Sequence, residues 1–229
     1  LKVSERTARG EIVTGNVRVD GEVVQQLLAD VTRFSCVEFD GETIQAAVER
    51  LHFMLNKPVG VVSATVDVEH PTVLDLIEHP DKATLHLAGR LDRSSTGLVL
   101  LTNDGRWSDS LMSPERKVAK VYLVETDRPI PESAVEQFAA GFFFETENLT
   151  TRPAELELLG ERSARVKLRE GRYHQIKRMF HRIEEIRLIS LHRERIGEIA
   201  LPENLDFGQS RALTKPEIAS VSLQDSESA

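Results

Sequence analysis

Apolar positions along this chain come in short bursts bounded by turn residues, not in long amphipathic stretches. Leu98-Val99-Leu100-Leu101 is apolar throughout, as an element entering the core should be. Lys120 to Val124 alternates, with Val121 and Leu123 on one face and Lys120 and Tyr122 on the other. Arg165 to Arg169 repeats that alternation, with three cations on one face. The pattern predicts strands near 52–56, 97–102, 119–125, 153–159, 163–169 and 187–193. It predicts helices near 72–78, 105–111, 131–140, 173–183 and 214–221. Pro129, Pro131, Pro153, Pro202 and Pro216 fall at the edges of these elements, where a missing donor and a fixed φ are tolerated. A tight turn at Gly160 joins neighbouring strands, and the irregular order favours a mixed, mainly antiparallel sheet in an α+β fold over repeated βαβ units.

The first forty-odd residues read as a separate small unit. A polar helix is predicted over 4–13, followed by strands at 17–19 and 22–24 around Asp20-Gly21 and a third at 35–39 ending in Asp40-Gly41. The expected organisation is a small unit over 1–43, a connector over 44–50, a large domain over 51–221 and a disordered acidic tail over 222–229. The chain opens at Leu1 and not at a Met, so an element is expected to precede this numbering.

Composition narrows the class. With 229 residues, 40% of them hydrophobic, the chain can bury an ordinary core. It holds no run long enough for a membrane span and no secretory leader at its start, which predicts a cytoplasmic protein without a membrane partner. A single cysteine, Cys36, rules out an intramolecular disulfide and any cysteine metal cluster. The net charge of −8 argues against a polyanionic partner until its distribution is read. From Arg165 to Arg195 ten basic residues face four acids, a net of +6, while residues 20–50 and the tail are acidic. That stretch is either a solvated basic face or a surface for nucleic acid.

Three residues stand out for chemistry. Asp92 lies in a loop of small residues, Ser94-Ser95-Thr96-Gly97, ahead of the apolar run. It is either a turn Asp bonded to its own backbone or a carboxylate held at a cleft. Tyr122 shares a strand face with Lys120, and its ring either stacks on a base or caps the core edge. Lys177 sits in EGRYHQIKRMF, whose Ile176, Met179, Phe180 and Ile183 form a helical core stripe. No histidines have the spacing of a helix-borne zinc site, and no glycine-rich nucleotide loop is present, so neither metal nor cofactor is expected.

Four ordered blocks, LNKPVGVVS at 55–63, GRLDRSSTGLVLLTNDG at 89–105, KVYLV at 120–124 and EGRYHQIKRMF at 170–180, resemble the bacterial rRNA pseudouridine synthases. LHRERIG at 191–197 and RALTKPEIASV at 211–221 fit the members acting on 16S rRNA. The resemblance implies isomerisation of a uridine to pseudouridine, with uridine 516 of 16S rRNA as target and a partly assembled small subunit as partner of a monomeric enzyme. The alternatives are a 23S rRNA target or a non-catalytic assembly factor. It implies Asp92 as the essential carboxylate, Lys177 as the cation beside it and Tyr122 as the ring packed on the base. Arg90 would fill the space left by a flipped nucleotide, while Lys120, Arg172, Arg178 and Arg193 would contact RNA. The first unit is similar to an S4 RNA-binding domain lacking its first helix, with Arg6 and Arg9 as RNA contacts. Glu184 and Glu185 stand where such enzymes carry a glycine turn.

Overall fold

The computed structural model describes residues 3–223, and its contacts divide the chain into two units that meet between Arg50 and Leu51. The first begins with α1 (Glu5–Val13), capped by Ser4, whose hydroxyl accepts from the Thr7 amide at 3.1 Å. Strands β1 (Val17–Val19), β2 (Glu22–Val23), β3 (Val37–Phe39) and β4 (Glu42–Gln45) form one antiparallel sheet in the order β2-β1-β3-β4. Both Asp-Gly pairs have positive φ at both residues, as two-residue hairpins require. β4 occupies the start of the stretch expected to be a connector.

The second unit is built on β5 (His52–Lys57), β6 (His86–Leu87), β7 (Thr96–Thr102), α2 (Gly105–Met112), β8 (Lys120–Thr126) and α3 (Ser133–Ala140). A short pair, β9 (Phe143–Phe144) and β10 (Leu149–Thr150), is followed by β11 (Glu155–Gly160), β12 (Ser163–Leu168) and α4 (Gln175–His181). It closes with β13 (Leu188–Ile196), β14 (Ile199–Ala200), β15 (Ser210–Ala212) and α5 (Lys215–Leu223). The sheet runs β11-β12-β8-β13-β7-β5-β15, with β14 on β13 and β6 on β7. Its β7–β13 pairing is parallel and its other pairings are antiparallel, which is the mixed α+β architecture expected from the sequence.

β7 explains its own uniform apolarity. Val99 and Leu101 face a core with Leu55, Tyr122, Phe138 and Phe180, while Leu98 and Leu100 face a second with Met54, Trp107 and Leu111. A strand buried on both faces cannot alternate. Trp107 of α2 donates from its indole N–H to the Ile218 carbonyl of α5 at 3.1 Å, tying the two helices on that second face. At the start of α5, Thr214 and Glu217 form a reciprocal capping box, with the Thr214 amide donating to Glu217 at 2.7 Å. The Arg211 guanidinium, first, and Thr214 hold the Glu217 carboxyl down at about 2.

Three sequence expectations are corrected. The helix expected over 72–78 is a series of turns, because the Asp75 carboxylate takes both the Thr72 amide (2.7 Å) and hydroxyl (2.9 Å) and closes the chain locally. The helix expected over 173–183 is α4, shorter at both ends: His174 adopts φ +48°, and Glu184 and Glu185 adopt +49° and +55°. α5 runs through Leu223, into the expected tail, and the rest of that tail lies outside the described residues.

Candidate active site

A cavity of about 610 Å³ opens in the second unit, lined by Asp92, Lys177, Tyr122, Lys120, Arg193 and Arg90 among others. Asp92 is held on a loop secured from behind. Lys57, with none of its surface exposed, donates its ammonium protons to the carbonyls of Ser95 (2.7 Å), Pro58 (2.9 Å) and Arg93 (3.4 Å). Burial, first, pushes Lys57 down to about 8, while the Asp92 carboxylate pulls it up and Arg193 adds to the depression. The Ser63 hydroxyl accepts from the Leu91 amide (3.0 Å) and donates to the Leu91 carbonyl (2.8 Å), and the Ser95 amide closes the turn on the Asp92 carbonyl (3.0 Å). The loop is thus pinned on both sides of Asp92.

The carboxylate points at α4. Lys177 Nζ lies 2.5 Å from Asp92 Oδ2 and also donates to Ser94 Oγ at 3.2 Å. His174 Nε2 lies 3.3 Å from the same Oδ2. About a third of each of these three side chains is exposed, so the group is open to a substrate yet partly desolvated. His174 reaches Asp92 from the left-handed conformation that begins α4, and its ring stacks on Tyr173 at 3.8 Å.

Tyr122 is 8% exposed on β8, its ring forming part of the core and of the cavity wall. The strand is turned relative to the sequence expectation: Tyr122 and Val124 are the buried positions, while Val121 and Leu123 are half-buried. Arg193 is displaced more sharply from its expected place. It is 2% exposed, donating from Nε to the Leu98 carbonyl (2.7 Å) and from Nη1 to the Arg90 carbonyl (3.3 Å), so it cannot track phosphates on the surface. Its position depends on Gly97, where a Cβ would stand 2.3 Å from the Arg193 carbonyl oxygen and 2.6 Å from its amide nitrogen.

The remaining cations are spread out. Arg90 and Arg172 are exposed and line the cavity, Arg172 beside Glu170 at 3.2 Å. Arg178 forks onto Glu147 (2.8 and 3.0 Å) over the Phe144 ring, at a second cavity of about 410 Å³. Arg6 and Arg9 lie on α1 in the first unit, Arg9 paired with Glu5. The cationic face of β12 is answered by acids: Arg165 meets Glu157 and Glu194, and Lys167 meets Glu155. Among the described residues no group of three metal-ligating side chains converges.

Sequence reasoning missed His174 and Lys57. His174 stands three residues before Lys177, one helical turn away, and that spacing was its signal. Lys57 is the lone charge in MLNKPVGVV, a cation where the pattern asks for core.

A loop carboxylate and a helix cation, 85 residues apart in sequence and 2.5 Å apart at a cavity walled by a buried tyrosine, fit the class of RNA-modifying isomerases. The chain belongs to the RNA pseudouridylate synthase family, whose model matches residues 52–182. It is 49% identical over 220 residues to the ribosomal small subunit pseudouridine synthase A of Pseudomonas aeruginosa, covering 96% of this chain and 95% of that one. It is 43% identical over 221 residues to the protein of the same name from Escherichia coli, covering 96% and 95%. A solved pseudouridylate synthase superposes with a TM-score of 0.73 at 36% identity, over 96% of this chain and 94% of that one.

Proposed function

We propose that this protein isomerises one uridine of 16S rRNA to pseudouridine, on a partly assembled small ribosomal subunit, as a monomer. The observation that carries the reading is the Asp92–Lys177 pair at 2.5 Å at the mouth of a cavity walled by Tyr122. A uridine stacked in structured RNA is out of reach, so it flips into the cavity and its base lies against the Tyr122 ring. Asp92 then either attacks C1′ or takes the C2′ proton to give a glycal; both break the C1′–N1 bond, and C5 of the rotated base rejoins C1′. Lys177 and His174 offset the cost of closing substrate over the Asp92 charge, and the pinned loop fixes its aim. The names of the relatives support a small-subunit substrate. Exposed Arg90 and Arg172 at the cavity meet RNA, with Arg178 beyond them, and Arg6 and Arg9 of an S4-like first unit add further contacts.

Release of tritium from 5-tritiated 16S transcript, naked or in a partly assembled particle, tests the reading. Asp92→Asn should lose activity by about 1,000-fold or more while still binding RNA. Equal release by wild type and variant would sink the role of Asp92. Turnover of 23S rRNA alone would move the substrate, and binding without turnover by the wild type would leave an assembly factor.

A further inference from the structure

The floor of the cavity holds more positive charge than the Asp92 pair explains. Arg193 lines it, almost wholly buried, and its Nη2, shielded from solvent, has no hydrogen-bond partner among the described residues, so its charge is not answered locally. Lys120 lines it too, donating to the Val118 carbonyl at 3.1 Å. The strand register sets Arg193 directly opposite Tyr122, and Lys120 lies two residues before Tyr122 on the same strand face. Burial and then the Arg193 charge lower Lys120 to about 8, so the two cations are costly neighbours. Two neighbouring, largely desolvated cations at one cavity wall favour an anion in front of them.

The geometry of the substrate says which anion. C1′ must meet Asp92 at the mouth, and the phosphates stay on the solvent side with the RNA backbone, so the part of the nucleotide that reaches the floor is the base. When the C1′–N1 bond breaks, its electron pair leaves with the uracil and spreads over N1 and the carbonyl oxygens. We infer that Arg193 and Lys120 form the seat of this departing uracil anion, with Lys120 Nζ as donor to its oxygens and the Arg193 charge set in the wall behind it. When C5 rejoins C1′, the base returns the pair, the C5 hydrogen leaves as a proton to water and N1 takes up a proton from water; the seat itself forms and breaks no covalent bond. A neutral uridine gains little from the seat and the anion gains much, so the interaction belongs to the transition state.

The inference rests on the uridine isomerisation proposed above, and leaving-group dependence separates the two. Single-turnover rates are read as loss of the N-linked nucleoside in nuclease digests of 16S transcripts carrying uridine or 5-fluorouridine. Fluorine stabilises the departing anion, so its base needs less help. Lys120→Met should slow the uridine RNA about 100-fold and the 5-fluorouridine RNA tenfold or less. Arg193→Gln should show the same asymmetry; because Arg193 also ties two backbone carbonyls, Lys120→Met is the deciding variant. Equal slowing on both RNAs, or no slowing on either, with an active wild type, overturns the seat alone. A wild type that converts neither RNA overturns the functional reading and the seat with it.

Discussion

Gly97 carries no side chain, and the sheet is closed on that fact. Its φ of +102° and an Arg193 carbonyl oxygen 2.3 Å from where a Cβ would stand leave no room for a side chain, and backbone atoms cannot swing aside as a side chain tip can. Gly97→Ala should therefore cost about 3 kcal/mol in unfolding free energy, read from urea denaturation; an unchanged midpoint would show that β13 can move. The same residue scale shows how far the sequence spoke. Local sequence leaves Asp92 open as a turn residue and only the ordered blocks single it out; Lys177 Nζ lies 2.5 Å from its carboxylate. An Arg in a basic run reads as surface, and only the tertiary carbonyl partners of Arg193 show it buried.

Among elements, periodicity located the six long strands of the large sheet and the four α-helices described in the second unit, while the fifth helix it predicted, over 72–78, is turns. It missed β6, β9, β10, β14 and β15, each two or three residues long, too short to establish a period. The end of α4 shows a local rule broken. Glu184 and Glu185 both take left-handed backbone where glycine would rest without strain, and both are exposed. Glu185→Gly should raise stability by about 0.5–1 kcal/mol, since relief of strain exceeds the added entropy of the unfolded chain. The gain should appear in the urea midpoint with turnover unchanged, and a loss would mean the Glu185 side chain has a role of its own.

For the molecule as a whole, an acidic chain keeps cations inside. The net charge is −8, yet Lys57 and Lys120 are depressed to about 8 by burial. Between pH 8 and the ordinary lysine range near 10.5 the unfolded chain binds more protons than the folded one, so these two groups raise stability as pH climbs. Glu217 acts at the other end: its stabilisation is complete above 4.5 and is lost as pH falls through about 2. Turnover should go the other way from stability on the alkaline side, falling above about pH 8 as Lys120 loses its charge. Urea denaturation and single-turnover rates across pH 6–10 check this, and a parallel decline of both would refute it. The central place of β13, paired with β8 on one side and β7 on the other, also sets a clock. Asp92 leaves the ribosome 85 residues ahead of Lys177, roughly 4 to 17 seconds at ordinary rates of synthesis, and β13 follows later still. Until Lys177 and then that strand are in place, the carboxylate has a loop but neither its cation nor the Leu191, Arg193 and Ile196 wall of its cavity, so a half-made enzyme is harmless to the RNA around it.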